Sequence, residues 1–152
     1  MDNHISVIMP SYLSQYDGSA KNRIYKFNRA VNSFLCQDYE NKDLIIVSDG
    51  CHITNSLVNT NFYSECNIKL IELDKQPLFS GNVREVGLRY AKGNIISYLD
   101  TDDTIGANHL SAINKGFINN DCDFVYYNDF TKVLHFKSEE EREVYLKGGS
   151  VG

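Results

Sequence analysis

Five short, largely apolar runs, separated by segments of helical periodicity, constrain the fold of this chain more than any other feature. The runs occupy residues 5–9, 44–47, 68–73, 95–99 and 124–127. Runs of this length are typical of strands buried on both faces of a sheet. Between them, apolar residues recur at helical spacing, in one segment as Ile24, Phe27, Val31, Phe34 and Leu35, and in another as Val83, Val86, Gly87, Tyr90 and Ala91.

This alternation of strand and helix patterns predicts parallel strands joined by right-handed helical crossovers. The predicted fold is therefore α/β, a Rossmann-like, mostly parallel sheet with helices on both faces. In such sheets ligands bind beyond the carboxyl ends of the strands. We therefore expect chemistry in the residues that directly follow the runs, at positions 10–12, 48–50, 74–75, 100–103 and 128–129.

Length and charge narrow the possible functions. With 152 residues, 42% of them apolar, the chain is long enough for one sizeable core and is expected to form a single domain over residues 1–152. The formal net charge is -5 and no basic run occurs, which argues against a nucleic-acid partner. An anionic small-molecule ligand would then need a local cation, an arginine or backbone N–H groups.

The N-terminus and the cysteines predict a cytoplasmic protein. The first ten residues have no basic region and no apolar stretch longer than a strand, so neither a signal peptide nor a transmembrane segment is expected. Cys36, Cys51, Cys66 and Cys122 include no C-x-x-C pair and no histidine at zinc-ligand spacing. We interpret them as reduced thiols, with a disulfide or a zinc site as the alternative.

An acidic cluster follows the fourth run. Asp100, Asp102 and Asp103 lie within four positions, and carboxylates this close repel one another unless they share a cation or water screens them. A hard divalent cation that keeps several waters and bridges to phosphate oxygens would relieve the repulsion and attract an anionic ligand. The alternative is a solvated acidic turn before a helix near Asn108.

Two further segments at the predicted ligand edge contain candidate binding residues. Asp49 follows the second run and can accept a hydrogen bond from a base or a ribose, although Asp followed by Gly is also an ordinary turn. Pro10, Ser11 and Tyr12 follow the first run and offer backbone groups of fixed geometry and a ring that can lie beside a base. Their alternative role is simply to end a strand.

Arg84 is the candidate cation of this edge. We expect it to open the helix after residues 80–82 and to face an anion or a neighbouring carboxylate. The alternative is a surface ion pair with Glu85 or another acid. Neither a G-x-G-x-x-G nor a G-x-x-x-x-G-K-[ST] motif occurs, so dinucleotide binding and P-loop hydrolysis lack their phosphate-binding loops.

Taken in order and spacing, these segments resemble the nucleotide-binding half of the glycosyltransferase family 2 enzymes, which have the GT-A fold. The resemblance covers most of residues 4–130. It rests on four stretches, ISVIMPSY at residues 5–12, DLIIVSDG at 43–50, GNVREVGLRYAKG at 81–93 and NIISYLDTDD at 94–103. The last of these contains a D-x-D pattern formed by Asp100, Thr101 and Asp102.

The resemblance implies roles for four of the candidate residues, and it places Pro10, Ser11 and Tyr12 in the donor-binding loop after the first strand. Asp102 would coordinate Mn²⁺ or Mg²⁺ against the donor's diphosphate, and Asp100 would help through the ribose or the water shell of the metal. Arg84 would lie near the diphosphate, and Asp49 would contact uracil. The implied reaction transfers a sugar from a nucleoside diphosphate sugar, in the first instance a UDP-sugar, with inversion at the anomeric carbon. The acceptor, whether glycan, lipid or protein, is not identified.

The chain also departs from the family pattern. Leu13 stands where Asn is usual, Ser48 replaces an Asp, Cys51 replaces a Ser, Glu85 replaces an Asn and Ala107 replaces a Pro. No catalytic base can be matched, because the family's acceptor segment lies beyond the D-x-D loop.

For the tail we predict a strand at residues 131–136 and a short last helix with a capping box formed by Ser138 and Glu141.

Two other functions are alternatives to a complete transferase. The first is a nucleotide-sugar-binding domain or fragment without transfer activity on its own, completed by a partner chain or a missing C-terminal segment. The second is a nucleotidyltransferase, which would need a Gly-rich basic loop after the first strand. Residues 10–13 do not supply that loop.

Overall fold

Strands and helices alternate along the chain, as the apolar runs predict. The computed structural model describes residues 3–60, 66–75, 80–120 and 122–125. In chain order the elements are β1 (Ile5–Ser11), α1 (Arg23–Leu35), β2 (Lys42–Asp49), α2 (His52–Thr60), β3 (Ile68–Leu73), α3 (Ser80–Tyr90), β4 (Ile95–Tyr98) and α4 (His109–Asn119). The predicted α/β fold is confirmed.

The sheet is parallel and has four strands in the order β3-β2-β1-β4. β1 pairs with β2 on one side and with β4 on the other, and β2 also pairs with β3. Because every pair is parallel, the carboxyl ends of all four strands meet at one edge of the sheet. That edge is where the fold places its ligands.

The core lies on both faces of the sheet. On one face, Val7 and Ile46 of the central strands pack in one cluster with Phe27 and Phe34 of α1. On the other face, Ile8 packs with β2 residues and with α3. Fully burying an apolar side chain of this size contributes about 1.5–3 kcal/mol, so the two central strands account for much of the stability. Helices thus cover both faces, as predicted.

The first strand is longer than its apolar run suggests. β1 continues through Pro10 to Ser11, where Ser11 pairs with Ser48 of β2. The Ile8 carbonyl accepts a hydrogen bond from the Leu99 N–H on the β4 side. Pro10 lies two residues after Ile8, so its backbone nitrogen and carbonyl face that same side. β4 ends at Tyr98, so the missing N–H of Pro10 costs no ladder bond and the proline does not end the strand.

Two positions predicted on apolar helix faces are exposed instead. Ile24 in the first turn of α1 is 45% exposed, and Tyr90 at the end of α3 is 46% exposed. Both lie at helix ends, and the Tyr90 ring lies against the side chain of Lys69, whose Nζ is 4.5 Å from the ring centroid. The exposed Ile24 matters for a surface described below.

The predictions for the tail lie mostly outside the described residues. Residues 124 and 125 are not in a strand, and the rest of the run at 124–127 is not described. The predicted strand at 131–136 and the predicted helix after Ser138 also fall outside the described ranges. Among the described residues, no helix is both long enough and apolar enough to cross a membrane.

Candidate functional site

The carboxyl edge of the sheet opens into a cleft of about 500 Å³. Residues from the ends of β1, β2 and β4 and from the start of α3 line it. All seven binding and metal residues predicted from the sequence lie in its walls, namely Pro10, Ser11, Tyr12, Asp49, Arg84, Asp100 and Asp102. The structure therefore brings together positions that are up to 92 residues apart in the chain.

Arg84 and Asp100 form an ion pair inside this cleft. The Arg84 Nη2 atom lies 2.5 Å from Asp100 Oδ1, and Nη1 donates to Ser80 Oγ at 2.9 Å. α3 begins at Ser80, so Arg84 lies in its second turn rather than opening it. Glu85 pairs with Arg89 at 2.6 Å, so the alternative surface pair between Arg84 and Glu85 does not form. The guanidinium is held at the cleft by a carboxylate of the D-x-D pattern.

The acidic loop presents two of its three carboxylates to the cleft. Asp100 and Asp102 line the cleft, whereas Asp103 does not. The Asp103 N–H donates to the Asp100 carbonyl at 3.1 Å, which closes a turn. Arg29 of α1 donates to the Asp102 carbonyl at 2.8 Å and ties the loop to that helix. The loop is thus a turn, as its alternative interpretation proposed, and two of its three acidic residues line the cleft.

The donor set of this loop fits a cation that the ligand helps to hold. Among the described residues, no three His, Cys, Asp or Glu side chains group closely enough to hold a metal ion by themselves. Asp102 is exposed, and Asp100 is already paired with Arg84. Mg²⁺ and similar ions commonly bind through one or two carboxylates, several waters and substrate phosphates. The two carboxylates suit that mode of binding and not a closed protein site.

A second charged pair, Asp49 and Lys75, also lines the cleft. The Asp49 carboxylate lies 2.5 Å from Lys75 Nζ, and the same ammonium lies 4.8 Å from the centroid of the Tyr12 ring. Gly50 has φ +64°, and a Cβ added there would meet the backbone nitrogen of Lys75 at 2.5 Å. The turn after β2 therefore packs directly on the chain after β3. Lys75 was expected at the ligand edge from its position after the third run, but no role was predicted for it.

Cys51, one of the departures from the family pattern, contacts two of the others, Leu13 and Ser48. The Leu13 N–H donates to Cys51 Sγ at 3.2 Å, and Ser48 Oγ donates to the Cys51 carbonyl at 3.2 Å. Burial by itself raises the pKa of the Cys51 thiol, but hydrogen bonds from Ser14, Thr54 and Leu13 outweigh it and lower the pKa to about 6. Cys51 thus links the loop after β1 to the turn after β2, a link that no motif in the sequence indicated.

Arg23, which the sequence did not single out, also fixes the loop after β1. Its guanidinium donates to the carbonyls of Tyr12 and Ser14 and lies 5.0 Å from the centroid of the Tyr16 ring. An arginine with two backbone acceptors loses much of its side-chain freedom. Tyr12 is therefore held in the cleft by backbone contacts as well as by packing.

Comparison with known proteins gives a consistent set of relatives. The Glycosyl transferase family 2 profile matches residues 6–142. The Escherichia coli protein WfgD, a UDP-Glc:alpha-D-GlcNAc-diphosphoundecaprenol beta-1,3-glucosyltransferase, is 32% identical over 133 residues, which are 84% of this chain and 47% of WfgD. Glycosyltransferase GlyA of Streptococcus pneumoniae serotype 4 is 23% identical over 131 residues, which are 86% of this chain and 17% of GlyA.

Solved structures show the same fold. The crystal structure of S. aureus TarS residues 1–349 superposes with a TM-score of 0.62 and 26% sequence identity, over 76% of this chain and 32% of that one. TarS has also been solved in complex with UDP and with UDP-GlcNAc. The chain spans about half, or less, of the length of these relatives.

Proposed function

The chain belongs to glycosyl transferase family 2, and from this premise we propose that its cleft binds the nucleotide of a nucleoside diphosphate sugar, with UDP as that nucleotide. One observation supports the proposal most strongly. The base, ribose, diphosphate and metal residues expected of such a site all line one cleft at the carboxyl edge of the sheet. Their side chains supply an aromatic ring, hydrogen-bond acceptors and a cation in a space that suits a nucleotide.

The wall formed by Tyr12 and Asp49 is the proposed base end. The Tyr12 ring lines the cleft and offers a face for stacking, and Asp49, only 7% exposed, offers a carboxylate that can accept a base N–H. Pro10 and Ser11 complete this end with the backbone of β1. We propose uracil because the relative WfgD uses UDP-Glc by its name.

The wall formed by Arg84, Asp100 and Asp102 is the proposed diphosphate end. Arg84 brings a guanidinium to this end, and its ion pair fixes the position of the Asp100 carboxylate. We assign Asp100 to the ribose or to the water shell of a metal. Asp102, exposed in the cleft, would hold Mn²⁺ or Mg²⁺. A bound divalent ion would stabilise the negative charge that develops on the leaving nucleoside diphosphate.

The overall reaction that we propose is transfer of the donor's sugar to an acceptor hydroxyl. The transfer inverts the configuration at the anomeric carbon and takes place in the cytoplasm. The acceptor is a glycan, a lipid or a protein. No base is assigned to deprotonate it, because no carboxylate of the described residues matches the family's base.

A second candidate is a donor-binding unit that does not transfer sugar by itself. It is favoured by the lengths of the relatives, since the chain covers 47% of WfgD and 17% of GlyA. In that case the acceptor-binding residues would come from a further segment or from a partner chain. UDP binding without any sugar transfer to added acceptors would support this candidate.

The proposal is tested by calorimetric titration of UDP, CDP, GDP and ADP into the protein in the presence of Mn²⁺. We expect UDP to bind most tightly, because its N3–H can donate to Asp49 while its ring stacks on Tyr12. Absence of binding by all four nucleotides would overturn the proposal. Equal binding by all four would overturn the role given to Asp49.

A further inference from the structure

The charge of the chain is distributed very unevenly. Residues 18–37 contain four of its 15 basic residues, Lys21, Arg23, Lys26 and Arg29, and no Asp or Glu. The rest of the chain carries 11 basic and 20 acidic residues. An acidic protein with one acid-free basic segment has a local surface that attracts anions, although its net charge repels them.

Three large apolar or aromatic side chains within this basic segment or just before it are exposed to solvent, and the exposed Asp17 lies beside the first of them. Tyr16 is 57% exposed, Ile24 is 45% exposed and Tyr25 is 68% exposed. All three belong to the N-terminal end of α1 or to the loop before it. β1 delivers the chain to this loop at the carboxyl edge of the sheet, so the surface lies beside the mouth of the cleft.

Within the described residues no acid neutralises the positive charges of the segment, and hydrogen bonds orient two of them. Among the described residues, no carboxylate forms an ion pair with Lys21, Arg23, Lys26 or Arg29. Arg23 and Arg29 donate only to backbone carbonyls, those of Tyr12 and Ser14 and that of Asp102. Carbonyl groups fix the direction of a guanidinium but leave its net charge available to a ligand.

A small alcove opens within this surface. It has a volume of about 190 Å³ and is lined by Ala20 and Lys26 together with Tyr16, Arg23, Thr101 and Asp102, which also line the cleft. The space is sufficient for a phosphate group. Its two cations outnumber its one carboxylate, so an anion is favoured there.

We propose that this rim surface, formed by Tyr16, Lys21, Ile24, Tyr25 and Lys26, rests on an anionic membrane surface with a lipid phosphate in the alcove. Amphipathic tyrosines, an exposed aliphatic side chain and several basic residues on one helix end are the chemistry of a peripheral membrane contact. The cleft would then open next to the headgroup layer. This inference goes beyond nucleotide binding, and its test is made without nucleotide because the alcove and the cleft share Asp102.

The test is flotation of the protein with vesicles, in the absence of nucleotide. Wild-type protein is expected to bind vesicles that contain phosphatidylglycerol, to bind pure phosphatidylcholine vesicles far less, and to be released by salt. Lys21→Gln/Lys26→Gln should lower the partition coefficient about 30-fold, at about 1 kcal/mol for each basic residue near the surface. Equal binding to neutral and anionic vesicles would overturn the proposal.

A matched control separates a local surface from general electrostatics. Lys92 and Lys115 are exposed and lie outside the rim surface, and Lys92→Gln/Lys115→Gln changes the net charge by the same amount. This control should change partitioning by less than about twofold, because distant charges are screened. Equal losses in the two double variants would overturn the proposal.

The apolar contact and the alcove are tested separately. Tyr25→Ser should weaken vesicle binding even at high salt, because it removes buried aromatic area and leaves the charges in place. Inorganic phosphate should release the protein from vesicles better than chloride at equal ionic strength, because only phosphate competes for the alcove. No effect of Tyr25→Ser, or equal release by the two anions, would refute the corresponding contact.

Discussion

Substitution of Gly50 by alanine tests whether the turn after β2 packs on the chain after β3. Gly50 has φ +64°, and an added Cβ would lie 2.5 Å from the backbone nitrogen of Lys75 and 2.7 Å from its Cα. Real Cβ atoms do not approach backbone atoms this closely, so one of the two segments must shift. A shift here would also move Asp49, the residue before the glycine.

The expected loss of stability has two parts. A left-handed backbone costs a residue with a Cβ about 1–2 kcal/mol. Overpacking against atoms that cannot rotate away costs about 1–3 kcal/mol more. Gly50→Ala should therefore lower the free energy of unfolding by about 2–5 kcal/mol, which is a large share of the about 5–15 kcal/mol typical of a domain.

Gly18 is the matched control. Its φ is +79°, but a Cβ added there would meet nothing within 4 Å. Gly18→Ala should therefore show only the backbone cost, about 1–2 kcal/mol. Urea denaturation followed by circular dichroism measures both variants. Equal losses at the two glycines would refute the close packing of Gly50 on Lys75.

Two further predictions concern the cleft and a third concerns Cys51. Arg84→Met should weaken UDP binding in Mn²⁺ about 10- to 100-fold, because a charge-assisted hydrogen bond contributes about 1.5–3 kcal/mol. The control, Arg89→Met, breaks only an exposed pair and should leave the calorimetric affinity unchanged. Equal effects of the two substitutions would contradict the role of Arg84. Asp49→Ala should weaken UDP binding about tenfold and leave pyrophosphate binding intact in the same assay, and a parallel loss of both ligands would refute a base contact. The pKa of Cys51 is lowered to about 6 from an ordinary 9.0, so between these two pH values the folded chain holds a thiolate where the unfolded chain holds a thiol. The stabilisation from the thiolate is fully present above the higher pH and is lost as the pH falls through the lower one. The unfolding free energy of wild type relative to Cys51→Ala should therefore increase as the pH is raised from about 6 to about 9. A difference that does not change with pH would contradict this prediction.

The sequence predicted the parallel sheet well because its strands are buried on both faces. Val7, Ile8, Ile45 and Ile46 are all fully buried, and such runs have few other structural uses. Helix α2 was harder to delimit, since only Thr54 and Val58 of its nine residues are buried. A helix with so small a buried face leaves a weak periodic signal.

The candidate site was predictable in its positions and less so in its pairings. Strand ends in a parallel sheet converge on one edge, so residues after the runs were expected to meet there. That Arg84 pairs with Asp100, and that Lys75 pairs with Asp49, depends on helix rotation and side-chain reach across the cleft. The contact between Cys51 and Leu13 likewise joins loops 38 residues apart in a way that no local pattern encodes.

The central claim is that Asp102 holds a divalent cation against a nucleoside diphosphate, and calorimetric titration of UDP with and without Mn²⁺ tests it most directly. Asp102→Asn is compared with Asp103→Asn, since Asp103 is the neighbouring acid that does not line the cleft. We predict micromolar binding, about -8 kcal/mol, that requires Mn²⁺, is lost in Asp102→Asn and persists in Asp103→Asn. UDP binding that is independent of Mn²⁺, or that is weakened equally by the two substitutions, would contradict the account.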